Sequence, residues 1–413
     1  MSIYIKSLFF AIPTFIILIS IEMIFSKIKG IKVNNGADMI SSLSSGLSNT
    51  IKDAIKFSFA IISYSWFAEN FTIYKLEPVW VAVTFAFIVE DFGGYWVHRF
   101  SHRVNILWNR HIIHHSSEEF NLSCALRQSI SQTFKFFTFI WIPAALMGIP
   151  ATTFAILAPI HLFMQFWYHT RLINKMGILE YILVTPSHHR VHHAINPQYL
   201  DKNYSQIFII WDKLFGTFQP ELENVKPVYG TLRPASTWNP IIINFKHLFQ
   251  LIKDAWHAQN IIDKFKIWFM PTGWRPKDVE ENYPLKQIDD PYSQVKYNTN
   301  SSIAILSWTW LQHGITVLLM FHLFTIIGDS TAFMNYLYAL FLLIHIFSFT
   351  ATLDHSYFAI VADVIKICLG GFIIYSQNYS WFGLNEIFVT GFIFYFITSL
   401  FFTSYFYNKS IPE

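Results

Sequence analysis

The sequence predicts an all-α integral membrane protein: a multi-span helical bundle with a histidine-rich di-metal site on its cytoplasmic face. Three observations carry this reading. Of 413 residues, 53% are hydrophobic and only 13% charged, against about 25% charge in an average soluble domain. Apolar runs near the ~20 residues needed to cross a bilayer recur on both sides of a polar middle. Finally, 11 of the 17 histidines fall between His98 and His193.

The first run, SLFFAIPTFIILISIEMIF at 7–25, is long for a signal-peptide core and lacks an A-x-A-like cleavage site. It reads as a retained signal-anchor helix. Apolar stretches at 54–70, 79–97, 134–149 and 151–169 follow as candidate spans. A polar region from about 171 to 300 is punctuated by Pro271, Pro276, Pro284 and Pro291, and further spans read at 303–327, 333–350, 357–375 and 384–405. The shorter runs are open to re-entrant or interfacial placement. The chain thus divides into N-terminal transmembrane helices (1–78), a catalytic region (79–222), a cytoplasmic connecting segment (223–300) and C-terminal transmembrane helices (301–413).

Charge orients these spans. Lys27, Lys29 and Lys32 follow the first helix and only Lys6 precedes it, so the positive-inside rule puts the N-terminus outside and residues 26–53 in the cytoplasm. The 54–70 run then leads out and 79–97 leads back, placing Arg99, Arg103, Arg110, Arg127 and Lys135 at or beyond the cytoplasmic end. A hairpin of 134–149 and 151–169 about Pro150 returns residues 170–200 to the face that holds 98–115. Short loops and high Ile, Asn and Lys usage suggest a bacterial inner membrane, with the endoplasmic reticulum as the eukaryotic equivalent.

The histidines form three boxes. HRFSH carries His98 and His102; HIIHH carries His111, His114 and His115; HRVHH carries His189, His192 and His193. Offsets of three and four put the rings of each box on one helical face. Imidazole is the commonest neutral metal ligand and suits iron, zinc, copper and nickel. Eight ring nitrogens exceed what one ion with an open position can use, so two ions fit better. The net charge of +3, with no basic run interleaved with aromatics, argues against nucleic acid. Cys124 and Cys368 match no Cys-x-x-Cys pattern and imply neither disulfides nor a thiolate site.

In these boxes the chain resembles the fatty acid hydroxylase/sterol desaturase superfamily of membrane di-iron enzymes, over roughly residues 80–220. HHSSEEFNLSCALRQS (114–129), TPSHHRVHH (185–193) and DKNYSQIFIIWDKLFGTF (201–218) are most similar to its alkylglycerol monooxygenases. That resemblance implies hydroxylation of the ether-linked carbon of an alkylglycerol with O2, two Fe ions and tetrahydrobiopterin. It also implies a ninth ligand, His169, at the end of the helix before the third box. One departure is that an acidic residue follows the second His of the first box in that branch, whereas Arg103 stands here. A sterol or fatty-acyl hydroxylase or desaturase fed by an electron donor protein shares the boxes and stays open as the alternative.

Asp91, seven residues before His98, is a candidate carboxylate for a ligating imidazole or a backbone-satisfied buried acid, with Glu90 as its competitor. Glu118, Asn121 and Arg127 are expected to support the site, and Asp212 to cap a turn with Gly216 and Thr217. His161 reads as a packing residue and His188 stays undecided. Asp363 and Lys366, with Asp354 and His355 nearby, read as structural pairing. Two other uses of helical histidines fit less well. A b-type cytochrome needs single axial ligands on facing helices, and a metal transporter scatters His and acids through mid-membrane helices.

Overall fold

The computed structural model describes residues 3–60, 63–135 and 137–410. Among them, regular strand pairing is confined to a two-residue parallel contact of Phe59–Ala60 with Phe134–Lys135; the rest is helix and connection. In chain order the helices are α1 (Ile3–Ile28), α2 (Gly36–Ala54), α3 (Tyr64–Phe71), α4 (Val79–Arg103), α5 (Asn105–Trp108), α6 (Ile112–His115), α7 (Ile142–Leu146) and α8 (Ala151–Phe166). They continue as α9 (Pro186–His192), α10 (Ile210–Leu214), α11 (Pro240–His257), α12 (Ile261–Lys266), α13 (Lys277–Asn282), α14 (Ile303–Ile326), α15 (Ala332–Leu353), α16 (Phe358–Ser376) and α17 (Glu386–Ser410). Among the described residues six helices, α1, α4 and α14 to α17, are long and apolar enough to cross a membrane. The chain is an integral membrane protein.

Side chains set several helix starts. The Asn35 carboxamide accepts from the backbone N–H of Ala37 and Asp38, and the hydroxyls of Ser302 and Thr331 cap α14 and α15. Each such cap is worth about 1 kcal/mol. The main apolar core lies between α14, α15, α16 and the N-terminal α1–α2 pair, with Phe324, Phe341, Phe349 and Trp381 fully buried.

Among its described residues the 54–70 run, expected as a span, forms no helix of membrane-crossing length. It holds the Phe59–Ala60 contact and the eight-residue α3, none of whose side chains is buried. The helix packed into the bundle after α1 is α2, a serine-rich helix with no long apolar run. It follows α14 in register: Gly36 lies against Leu306, and Ser44 Oγ is 3.1 Å from His313 Nδ1. Its 19 residues span about 28 Å at 1.5 Å each. Burial of Ser41, Ser42, Ser44, Ser45 and Ser48 is tolerable because most of these hydroxyls bond inside the protein. Ser45 donates to the Gln128 carbonyl, Ser48 to the Ser44 carbonyl, and Ser42 accepts from the Arg127 guanidinium.

Near the end of α1 the Glu22 carboxylate ties the segment after the second box to the chain after α8, accepting from Leu122 N at 2.8 Å and Thr170 Oγ1 at 2.6 Å. The expected hairpin is present but short. The 16 residues of α8 span about 24 Å, less than the ~30 Å hydrocarbon thickness. Its tip is fastened by Tyr64 donating to the Ile149 carbonyl and Thr72 to the Ala145 carbonyl. Its return brings Tyr168 and His169 to the histidine face.

In the C-terminal helices Asp363 and Lys366 pair at 2.6 Å with no exposure, as the sequence suggests. Asp354 instead clamps the connecting segment, accepting from Trp238 N, Thr237 and Tyr297. A second buried pair joins the N-terminal helices to the site: Arg127 Nη2 lies 2.6 Å from Asp38 Oδ1, the side chains 2% and 4% exposed. Arg127→Met would leave the Asp38 carboxylate buried without its cation, a loss of about 3–5 kcal/mol. A clear drop in the detergent-solubilised unfolding temperature is the expected result.

Candidate metal centre

The three boxes sit on three short helical pieces that converge. His98 and His102 occupy the last turns of α4; His111, His114 and His115 lie at and within α6; His189, His192 and His193 lie on and just after α9. Pro186 at the first turn of α9 supplies the φ that a helix start needs. His169 arrives from the chain just after α8. The nine rings sort into two groups, and within each the ligand atoms lie within 4.8 Å of one another. One group is His98, His102, His111, His115 and His192; the other is His114, His169, His189 and His193. The groups abut, with the His115 and His193 rings stacked at 4.3 Å.

Backbone carbonyls fix the rings. His98 Nδ1 donates to Tyr204 O at 2.7 Å, His192 Nδ1 to Lys202 O at 3.0 Å, His114 Nδ1 to Arg127 O at 3.3 Å and His169 Nδ1 to Gln165 O at 3.0 Å. A carbonyl can only accept, so each Nδ1 carries the proton and each Nε2 presents a bare lone pair. Those Nε2 atoms point at one another: His114 to His169 at 3.3 Å, His169 to His189 at 2.8 Å, His98 to His111 at 2.9 Å and His115 to His192 at 3.1 Å. Between His114 and His169 both nitrogens are acceptors, so no hydrogen bond joins them. The spacing is that of neighbouring ligands on one cation, since two nitrogens each about 2.1 Å from an ion and 90° apart are about 3 Å from each other. His102 Nε2 is buried without a hydrogen-bond partner, a costly state that a metal bond relieves.

Electrostatics agree with this geometry. Burial, reinforced by neighbouring imidazoles, holds His111, His115, His189, His192 and His193 well below the usual histidine range, and His114 down at about 3. The rings are therefore neutral at neutral pH, the form that ligates. No carboxylate joins either group among the described residues, leaving a donor set of imidazoles alone that suits iron, zinc or copper.

The polar residues expected to act at the site stand around it. Asp91 bonds none of the nine imidazoles. It accepts from Ile207 N, Phe208 N and Trp211 Nε1, and lies 3.0 Å from His161 Nε2. Asp91 thereby holds the 201–211 loop, whose carbonyls orient His98 and His192. Asp212 holds the same loop through Tyr204 N and Ser205 N. Glu90 accepts from the Trp141 indole at 2.6 Å. Glu118 accepts from Tyr297 N in the connecting segment, and Asn121 donates to Val33 O while its oxygen caps Ser123 and Cys124. His188 lies outside both groups.

The sequence reading missed the walls. Rings of Trp108, Phe120, Tyr168 and Tyr204 lie 4.3 to 5.2 Å from those of His102, His193, His189 and His102 respectively, closing the clusters with apolar surface. It also missed Asp201, which pairs with Arg103 at 2.8 Å and brings a carboxylate oxygen to 3.8 Å from His102 Nδ1.

Residues 83–217 match the fatty acid hydroxylase family. The alkylglycerol monooxygenase of Homo sapiens is 39% identical over 308 residues, covering 74% of this chain and 68% of its own length. The chain belongs to the fatty acid hydroxylase family. The alkylglycerol monooxygenase of Danio rerio is 41% identical over 272 residues, 64% of this chain and 59% of that protein. A Delta(7)-sterol 5(6)-desaturase of Gibberella zeae is 26% identical over 169 residues, 37% of this chain and 47% of its own. No solved structure matches the chain. The stretch matching the fatty acid hydroxylase family contains both histidine groups and Asp91.

Asp91→Asn should loosen the 201–211 loop and lower metal affinity by about 10- to 100-fold while sparing the fold; a competitive chelator titration measures it. Alanine at any one of the nine histidines should reduce bound metal from about two ions per chain, read by elemental analysis of purified protein. Full metal content in two or more of these variants would remove them from the ligand set.

Proposed function

We propose that this fatty acid hydroxylase family member is an O2-dependent lipid monooxygenase that hydroxylates the ether-linked carbon of alkylglycerols. The observation that carries the reading is the convergence of nine neutral imidazoles beside the membrane with no acid among them. The similarity to two vertebrate alkylglycerol monooxygenases selects the substrate, because sterol desaturases are related over a shorter stretch and at lower identity.

The nine histidines would hold two iron ions, His98, His102, His111, His115 and His192 one of them and His114, His169, His189 and His193 the other. When bound, the irons supply the O2 activation and C–H oxidation that no side chain of the family can perform. The protein contributes position and exclusion. Carbonyls of Lys202, Tyr204, Arg127 and Gln165 hold ligand rings in one tautomer, and Asp91 and Asp212 hold the loop that carries two of them. Trp108, Phe120, Tyr168 and Tyr204 keep water from the reacting atoms, which strengthens every electrostatic contact and suppresses side reactions. Glu118 and Asn121 brace the segment after the second box against the connecting region and the link between α1 and α2.

Reducing equivalents come from tetrahydrobiopterin in this reading, and from an electron donor protein in the sterol or fatty-acyl alternative. The histidine face is cytoplasmic, because Lys27, Lys29 and Lys32 close α1 on the face where Lys29 reaches the Leu172 carbonyl. The membrane is a bacterial inner membrane or the endoplasmic reticulum.

The test is an assay of membranes given a 1-O-alkylglycerol, O2 and tetrahydrobiopterin, with His193→Ala membranes as the control. Fatty aldehyde should form with wild type and fall by more than about 100-fold in the variant. Absence of aldehyde from iron-loaded wild type would move the substrate to sterols or fatty acyl chains.

A further inference from the structure

A cavity of about 810 Å³ lies beside the histidine clusters, and no histidine lines it. Its size falls in the range of about 300–1,000 Å³ typical of small-molecule sites. Ile241 and Phe245 of α11, Leu343 and Phe347 of α15, Val361 of α16 and Arg110 form much of its wall.

Three features point to one occupant. First, the cavity has depth. α15 ends on the histidine face, and the wall from Phe347 back to Leu340 runs about 10 Å along that helix toward the membrane interior. Second, it opens sideways: Leu340 and Ile365 on its rim are 46% and 49% exposed, on helices of membrane-spanning length and hydropathy. Third, its lining is mostly apolar, with Lys52, Asn109, Arg110, Ser131, Gln132 and Thr133 as its polar residues, and Arg110 immediately precedes the clustered His111. The Arg110 guanidinium lies over the Phe137 ring at 5.5 Å and has no carboxylate within ion-pair distance among the described residues.

We propose that this cavity seats the hydrocarbon tail of the lipid substrate, entering sideways from the bilayer between α15, α16 and α11. The tail points into the membrane, the polar headgroup meets Arg110, and the carbon next to the headgroup lies on the side of His111. The proposal rests on the reading that the chain oxidises a lipid, and it makes Leu343 and its neighbours determinants of chain length.

The experiment uses wild-type membranes and an alkylglycerol with a diazirine at the tail end, photolysed without O2 and mapped by mass spectrometry. Label should appear on residues 340–347 or 361–365 and fall about fivefold or more in Leu343→Trp. In kinetics, Leu343→Trp should lower the preference for a long over a short alkyl chain by about tenfold, since each buried methylene contributes separately. Leu343→Ala should move it the other way, which keeps the test valid if the tryptophan variant folds poorly. Label confined to other surfaces, with chain preference unchanged in both variants, would overturn the proposal. The label map is independent of turnover, so a lipid-filled cavity with no ether cleavage would count against the proposed reaction and not against the cavity.

Discussion

Everything near the site depends on one constraint: neutral imidazole lone pairs that repel one another must be held about 3 Å apart. Nothing in the rings themselves favours this. Part of the force comes from backbone carbonyls that take the Nδ1 protons of His98, His114, His169 and His192, and carboxylates fix the segments that carry three of those carbonyls. Asp91 and Asp212 grip the loop that carries Lys202 and Tyr204. Arg127 turns its carbonyl to His114 while its guanidinium is anchored in α2 by Asp38 and Ser42. The site is thus arranged to hold cations, and the surrounding bundle serves to fix the rings that would ligate them.

That dependence explains why a membrane protein accepts so many buried polar groups. A serine-rich helix such as α2, packed beside α14, would be unstable facing lipid, where unpaired hydroxyls cost several kcal/mol. Here it lies between α14, α15 and the segment after the second box, and its polar face meets His313, Gln128 and Arg127. The same helix therefore completes the fold and fixes the Arg127 carbonyl. The connecting segment adds a second tie, through Tyr297 N to Glu118 and Tyr297 to Asp354.

The site was more legible in the sequence than the path of the chain. Offsets of three and four among eight histidines are a direct statement about helical faces, so those residues come together as the spacing requires. His169 followed only from family resemblance, because a single histidine after an apolar helix carries no spacing signal. The 54–70 run was misread because hydropathy measures preference for lipid and says nothing about partners. The helix packed into the bundle, α2, is buried despite its low hydropathy because most of its serines bond internally. Asp91 was singled out by its place before His98, but it bonds none of the nine imidazoles; its partners include backbone N–H groups more than a hundred residues later, which no local pattern reveals. The carbonyls of Lys202 and Tyr204 are invisible for the same reason: backbone atoms leave no mark in residue identity.

The account stands or falls on what the nine imidazoles bind. X-ray absorption at the iron edge of the purified protein, quantified against iron per chain, tests that most directly. The account predicts a nitrogen shell with strong imidazole scattering, averaging between the five rings of one group and the four of the other. A shell dominated by carboxylate oxygen or sulfur, or iron whose amount is unchanged when His193 is replaced, would contradict it.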